Sequence, residues 1–300
     1  MEAQVDEIPA VLHMCNCELI TDDSRNTIRT CEAIWEPYQK ARAAHGNRQV
    51  EIVFNMDPCP RIDPGGLLLL LNAARRDRSI RSLVATENSS GAYHAIVDNI
   101  DNLAGALDEA RRLNQQRARR FLLRRILDPH EMVREVAEWA EMVRDGTRAN
   151  AADVALWETQ ISEVAANTFQ HADAPDGVLV AGEAFPQRGY VQLAAIDFGK
   201  TIPLCIEAEA KKRSQSLDDG ELLAFATQES VTSGCVVQNQ GSGLPSLVEM
   251  VKNNGGTMQI LSRDGFLRVK NRRKYRSKPK KAIGSPILSG TLIVLNLKIN

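Results

Sequence analysis

Glu163-Val-Ala-Ala-Asn167-Thr-Phe-Gln-His171 is the stretch from which the rest of the chain is read. Glu163, Asn167 and His171 stand at i, i+4 and i+8, along one slowly drifting face of a helix. Ile161, Val164, Ala165 and Thr168 are left to face inward. A carboxylate one turn before a carboxamide is useful chemistry. The Asn carbonyl oxygen is a hard ligand suited to Mg²⁺, and the Glu can orient or deprotonate a nucleophile beside it. The same pattern also occurs on solvated helix faces, so its weight comes from the motifs C-terminal to it.

After it comes Ile196-Asp197-Phe198-Gly199-Lys200-Thr201, at the end of the apolar run from Val191. An Asp at a strand end before a Gly turn presents a carboxylate that can accept the exocyclic amine of adenine. Gly241-Ser242-Gly243-Leu244 then opens a helix, where glycines let phosphate oxygens approach backbone N–H groups and the positive end of the dipole. Asn254-Gly255-Gly256 breaks that helix, and Ser289-Gly290-Thr291 opens the last apolar run, Leu292 to Leu297. The patterning predicts helices over 129–145, 152–171 and 243–254, and strands over 177–183, 189–197, 257–262 and 290–298.

In this order and spacing the set resembles the GHKL ATPases, the family of gyrase and of sensor-kinase ATP-binding domains. Glu163, Asn167 and His171 match its N-box, and Asp197 with Gly199 its first glycine box. Gly241, Gly243 and Leu244 match the second glycine box, and Gly290 with Thr291 the last strand. The resemblance implies ATP and Mg²⁺ as cofactors, bound over a mixed sheet that helices cover on one side. It implies Asn167 as the Mg²⁺ ligand, Asp197 as the adenine contact and Glu163 as the catalytic base. His171, Gly199, Gly241, Gly243, Leu244 and Thr291 would complete the nucleotide site. The segment from Asp128-Pro129-His130-Glu131 onward is similar to the anti-sigma-factor serine kinases; His130 reads as a surface histidine at a helix start. Thr201 stands where the family has its second glycine, which stiffens the hinge of a lid over 204–240. Lys211, Lys212 and Arg213 in that lid read either as a solvated cluster or as a reach toward a γ-phosphate.

Working toward the N-terminus, Asp22, Asp23 and Ser24 are cap candidates for an amphipathic helix that stops at His45-Gly46. Val50 to Phe54 reads as a strand, Asp63-Pro64 starts the helix that carries Leu67 to Leu71, and Ser82 to Thr86 reads as another strand. The turn Ile62 to Gly66 with its leucine helix resembles STAS domains. Pro64 and Gly65 replace the family's phosphorylatable hydroxyl, which implies docking rather than phosphorylation. The fold class expected is α/β (α+β). A STAS-like regulatory domain with a trailing arginine-rich helix occupies 1–116, and a Bergerat-type two-layer α/β sandwich occupies 117–300.

Composition sets the outer limits. The 300 residues are 43% hydrophobic and 25% charged, which excludes wholesale disorder. No apolar run is long enough to span a bilayer, and no signal peptide is apparent. The 6 cysteines contain no C-x-x-C, so a cytoplasmic protein is expected, with no membrane partner. The net charge of −1 hides an asymmetry: residues 266–281 carry nine basic side chains and no acidic one. This tract is a hairpin insertion, read as a solvated loop ahead of a nucleic-acid contact through 268–281. Three functions fit. The first is an ATP–Mg²⁺ enzyme that hydrolyses slowly or phosphorylates a partner's Ser/Thr. The others are a nucleotide-gated binding module and a nucleic-acid-associated ATPase. A protein partner or a second copy would meet the N-terminal domain.

Overall fold

The computed structural model describes residues 10–13, 20–45, 52–55, 62–76, 80–84, 121–147, 149–174, 176–213, 215–229, 231, 243–270, 273–277, 288 and 290–299. The arginine-rich helix expected to trail the first domain up to residue 116, the second glycine box at Gly241 and the tract's end at 278–281 lie outside them. The chain is mixed α/β. A first, three-stranded parallel sheet contains β1 (Ala10–His13), β2 (Ile52–Asn55) and β3 (Ile80–Val84), in that order. The crossovers carry α1 (Ser24–His45) and α2 (Pro64–Arg76). Asp23 caps α1 by accepting from Arg25 and Asn26 N–H. Asp63 caps α2 by accepting from Gly66 N–H at 2.8 Å.

The second sheet has seven strands in the order β4 (Phe121–Ile126), β5 (Val178–Phe185), β6 (Tyr190–Asp197), β10 (Thr291–Lys298), β7 (Thr257–Ser262), β8 (Gly265–Lys270) and β9 (Arg273–Ser277). Between its strands run α3 (Pro129–Gly146), α4 (Ala151–Asn167), α5 (Ile202–Lys212), α6 (Asp219–Ala226) and α7 (Gly243–Asn254). Every neighbouring pair in this sheet is antiparallel, so the mixed sheet expected from the resemblance is corrected. The reason is local: hairpins join β5 to β6, β7 to β8 and β8 to β9, and β10 returns between β6 and β7. The basic tract is likewise more than an inserted loop, because residues 266–270 and 273–277 of it lie in β8 and β9 and extend the sheet by two strands.

Strand alternation sorts the side chains. Leu193, Ala195, Ile260, Ile293 and Leu295 join Val136, Trp139, Trp157, Ile161 and Val248 in the main core, so α3, α4 and α7 cover this face. Trp139 lies over Gly182, where a Cβ would stand 2.6 Å from its Nε1, and its ring tilts against Trp157 with 6.4 Å between centroids. The opposite face, with Ala194, Ile196, Leu292, Val294 and Leu261, is just as buried. That face is covered by α2, which packs on β5, β6 and β10 while also touching β3 and α1. The sheet therefore lies between two helical layers, and the two-layer sandwich is corrected to a sheet covered on both sides. This explains two sequence features at once. Leu67 to Leu71 are all buried because α2 is enclosed all round, and Leu292 to Leu297 reads as an apolar run broken only by Asn296 because neither strand face meets water. No helix among the described residues is long and apolar enough to cross a membrane.

Candidate functional site

The motifs meet at one end of the seven-stranded sheet. Ile196 pairs with Leu292 and Thr291 with Ser262, which places Asp197, Thr291 and Ser262 side by side on β6, β10 and β7. Asp197 is 5% exposed. Its Oδ1 accepts from Gly199 N–H at 2.9 Å, and its carboxylate also accepts from the Thr291 N–H. Burial outweighs those two bonds and pushes its pKa from 3.8 up to about 7. A carboxylate this desolvated gains from one further donor, the role an exocyclic amine would fill.

Two glycines are fixed by this arrangement. At Gly290 φ is +89°, and a Cβ would stand 2.2 Å from Asp197 O. At Gly199 a Cβ would stand 2.1 Å from Ala172 O, which accepts the Lys200 N–H at 2.5 Å. Gly290→Ala is expected to lower the unfolding free energy by about 2 kcal/mol or more, measured by urea titration, because the clash is with backbone and the φ is foreign to L residues.

The Ala172–Lys200 bond ties the end of the N-box segment to the Asp197 turn. Helix α4 ends at Asn167, and Thr168–Ala172 forms one π turn rather than the α-helical continuation expected through 171. Asn167 therefore closes the α-helix, and His171 belongs to the π turn that follows it. Glu163 is half-buried on α4, about 6 Å along the axis from Asn167. Ile161 and Thr168 are buried, as expected.

Helix α7 packs against α4. Its last residue is anchored at the far end of the sheet, where Asn254 Nδ2 donates to Lys298 O and Lys298 N–H donates to Asn254 Oδ1. Twelve residues at about 1.5 Å each carry its start back some 18 Å, toward the Asp197 end. Gly243 is that start and is buried; Leu244 is half-buried and packs on both the main core and the smaller core of α5 and α6. Asn167 at a helix C-terminus, Gly243 at a helix N-terminus, Asp197 and Thr291 therefore share one end of the fold.

Thr201 has a role that the missing glycine did not suggest. With φ −75° and ψ 150° it is the N-cap of α5, its hydroxyl accepting from Leu204 N–H. Lys211, Lys212 and Arg213 are exposed and ion-paired with Glu207 or Glu209, the solvated cluster of the two readings. His130 is exposed near the start of α3, where Asp128 accepts its N–H.

Ser262 was missed. It is fully buried, accepts from Ile202 N–H at 3.0 Å and lies 2.8 Å from Thr291 Oγ1. The signal available was a serine ending an otherwise apolar strand. Also missed were Gln192, Gln259 and Asn296, polar residues inside apolar runs that hold the layer carrying Thr21, Thr27 and Asp63. No group of three or more His, Cys, Asp or Glu side chains suited to a metal occurs among the described residues. A Mg²⁺ site would rest on Asn167 and on phosphate oxygens, which suits an ion that keeps several waters and few protein ligands. No protein-family model matches the chain, and no curated protein matches it.

Proposed function

We propose that this chain is an ATP–Mg²⁺-binding regulatory protein of the GHKL type, with a Bergerat-like unit behind a STAS-like N-terminal layer. The observation that carries the reading is Asp197. It is a buried carboxylate at a strand end, served by two backbone donors, beside Thr291 and at the same end of the fold as the C-terminus of α4 and the N-terminus of α7. That combination suits a base at the sheet end and phosphates toward the helix N-terminus.

In this reading Asp197 accepts the adenine amine and Thr291 contributes a hydroxyl at the base edge. Asn167 supplies the protein ligand to Mg²⁺, which neutralises phosphate charge when bound. Glu163 orients a water or a partner's hydroxyl for attack. The partner hydroxyl would make the protein a serine/threonine kinase, and water would make it a slow ATPase. A second reading, a nucleotide-gated switch that seldom cleaves ATP, is favoured by Thr201. A capped helix starts where a GHKL lid has its glycine hinge, so closure is costlier.

The test is to incubate the protein with radiolabelled ATP and Mg²⁺ and to follow free phosphate and protein-bound label together. Asn167→Ala is expected to lose Mg²⁺-dependent nucleotide binding. Glu163→Ala is expected to bind ATP and to lose turnover by 10²-fold or more, on the order of a general base's contribution. Binding without either product selects the switch, and no ATP binding by the wild type overturns the reading.

A further inference from the structure

We infer that Ser262 is a positioning residue that sets the direction of the Thr291 hydroxyl and links the base site to the first turn of α5. This rests on the nucleotide reading above. Ser262 Oγ has three neighbours. Ile202 N–H donates to it at 3.0 Å, Gly290 O can take its proton at 3.3 Å, and Thr291 Oγ1 lies at 2.8 Å with either hydroxyl able to donate. Ser262 is fully buried and Thr291 is 5% exposed, so water has little part in this choice.

Only two proton arrangements satisfy the group, because Ser262 has one proton and two acceptors for it. In the first, Ser262 donates to Gly290 O and Thr291 donates to Ser262. The Thr291 hydroxyl then offers a ligand nothing but lone pairs. In the second, Ser262 donates to Thr291, whose own proton is freed to point outward. The second arrangement is the one an adenine edge selects, since its exocyclic amine donates to Asp197 while the adjacent ring nitrogen needs a donor. A guanine edge presents the opposite order, with a ring N–H beside a carbonyl oxygen. The first arrangement would serve that ring N–H, but the ionised Asp197 has no proton for the carbonyl oxygen beside it, so guanine is refused there; Ser262, touching neither base, supplies the arrangement that adenine needs.

The same hydroxyl holds the start of α5. Ile202 is the first residue of that helix, and its N–H has Ser262 Oγ as acceptor in place of an intrahelical one. Whichever arrangement a ligand imposes, the oxygen that changes its donors is the one to which α5 is attached. Ile202 also packs in both cores, so the first turn of α5 is where strand β7 and the covering helices meet.

The experiment compares wild type, Ser262→Ala, Thr291→Val and the double variant by calorimetric titration with Mg–ATP and Mg–GTP. Amide exchange at Ile202 is followed without nucleotide. The wild type is expected to prefer ATP, and Ser262→Ala to lose about tenfold in ATP affinity, the scale of one hydrogen bond, with GTP affinity nearly unchanged. Thr291→Val approaches the same hydroxyl pair from the other side, and its effect should not add to that of Ser262→Ala. Exchange at Ile202 should rise in Ser262→Ala and stay near wild type in Thr291→Val. An unchanged ATP-to-GTP ratio in Ser262→Ala, or additive losses, overturns the role of Ser262. Failure of the wild type to bind either nucleotide overturns the nucleotide reading itself.

Discussion

Asp63→Ala is expected to cost about 4 kcal/mol of folding free energy and to loosen the layer that carries α1 and α2. Asp63 is fully buried, and its two oxygens accept from Thr21 N–H at 2.6 Å, the Thr21 hydroxyl at 3.0 Å, Gly66 N–H at 2.8 Å and Gln192 Nε2 at 3.0 Å. Alanine leaves all four donors without this acceptor in a fully buried position. The loss spreads, because Gln192 also accepts from Gly65 N–H and donates to Asn296. Gln259, from the next strand of the network, donates to Thr21 O and accepts from Thr27. Three adjacent strands thus grip the N-terminal layer with side chains that would otherwise lie unsatisfied on an apolar sheet face. The pH dependence gives a second handle. Burial raises the Asp63 pKa above its ordinary 3.8, against the pull of the four donors. A carboxyl whose folded pKa is raised stabilises the protein at low pH, and that contribution is lost as pH rises through the folded value. The difference in stability between wild type and Asp63→Asn, from urea titrations across pH, should therefore tilt against the wild type as pH increases. A difference that is flat, or tilts the other way, would refute this account of Asp63.

The same network shows what the sequence could and could not convey. The helix and strand positions followed from periodicity and caps: Asp63-Pro64 did begin α2, and the apolar run from Val191 did end in a turn carrying Asp197. The covering of the second sheet face did not follow, because it depends on contacts between residues more than 100 positions apart. Three glutamine and asparagine side chains in apolar strands were its trace, but a polar residue in a strand equally suits a solvated face. Periodicity also failed at Thr168, because a π turn accommodates one extra residue without disturbing the apolar pattern on either side. At Thr201 the absence of a glycine was visible, whereas the reason for it, a cap on α5, depended on recognising that a helix began at Ile202. The hydroxyl pair of Ser262 and Thr291 depended on the register of β7 against β10, which no local pattern sets.

Asp197→Asn is expected to weaken Mg–ATP binding by 100-fold or more and to remove its dependence on pH near neutrality. In the folded protein the carboxyl titrates at about 7, raised from 3.8 by burial despite the Gly199 and Thr291 donors. An adenine amine donates more strongly to the ionised form than to the protonated one, so a bound base lowers this pKa and affinity rises with pH. With half-ionisation near 7, the ionised fraction grows about tenfold between pH 6 and pH 8, and affinity should follow it. Mg–ATP suits the measurement because the complexed phosphates stay ionised across that interval. Stability of the free protein should move oppositely: a raised folded pKa stabilises at low pH, and the contribution is lost as pH rises from about 4 to beyond 7. Asparagine keeps an acceptor oxygen but turns an amide nitrogen toward one of two backbone donors, so part of the turn at Gly199 is disturbed as well. The opposed signs separate a recognition role from a structural one. If Asp197 only braces the turn between β6 and α5, the stability trend persists while nucleotide affinity stays level from pH 6 to pH 8.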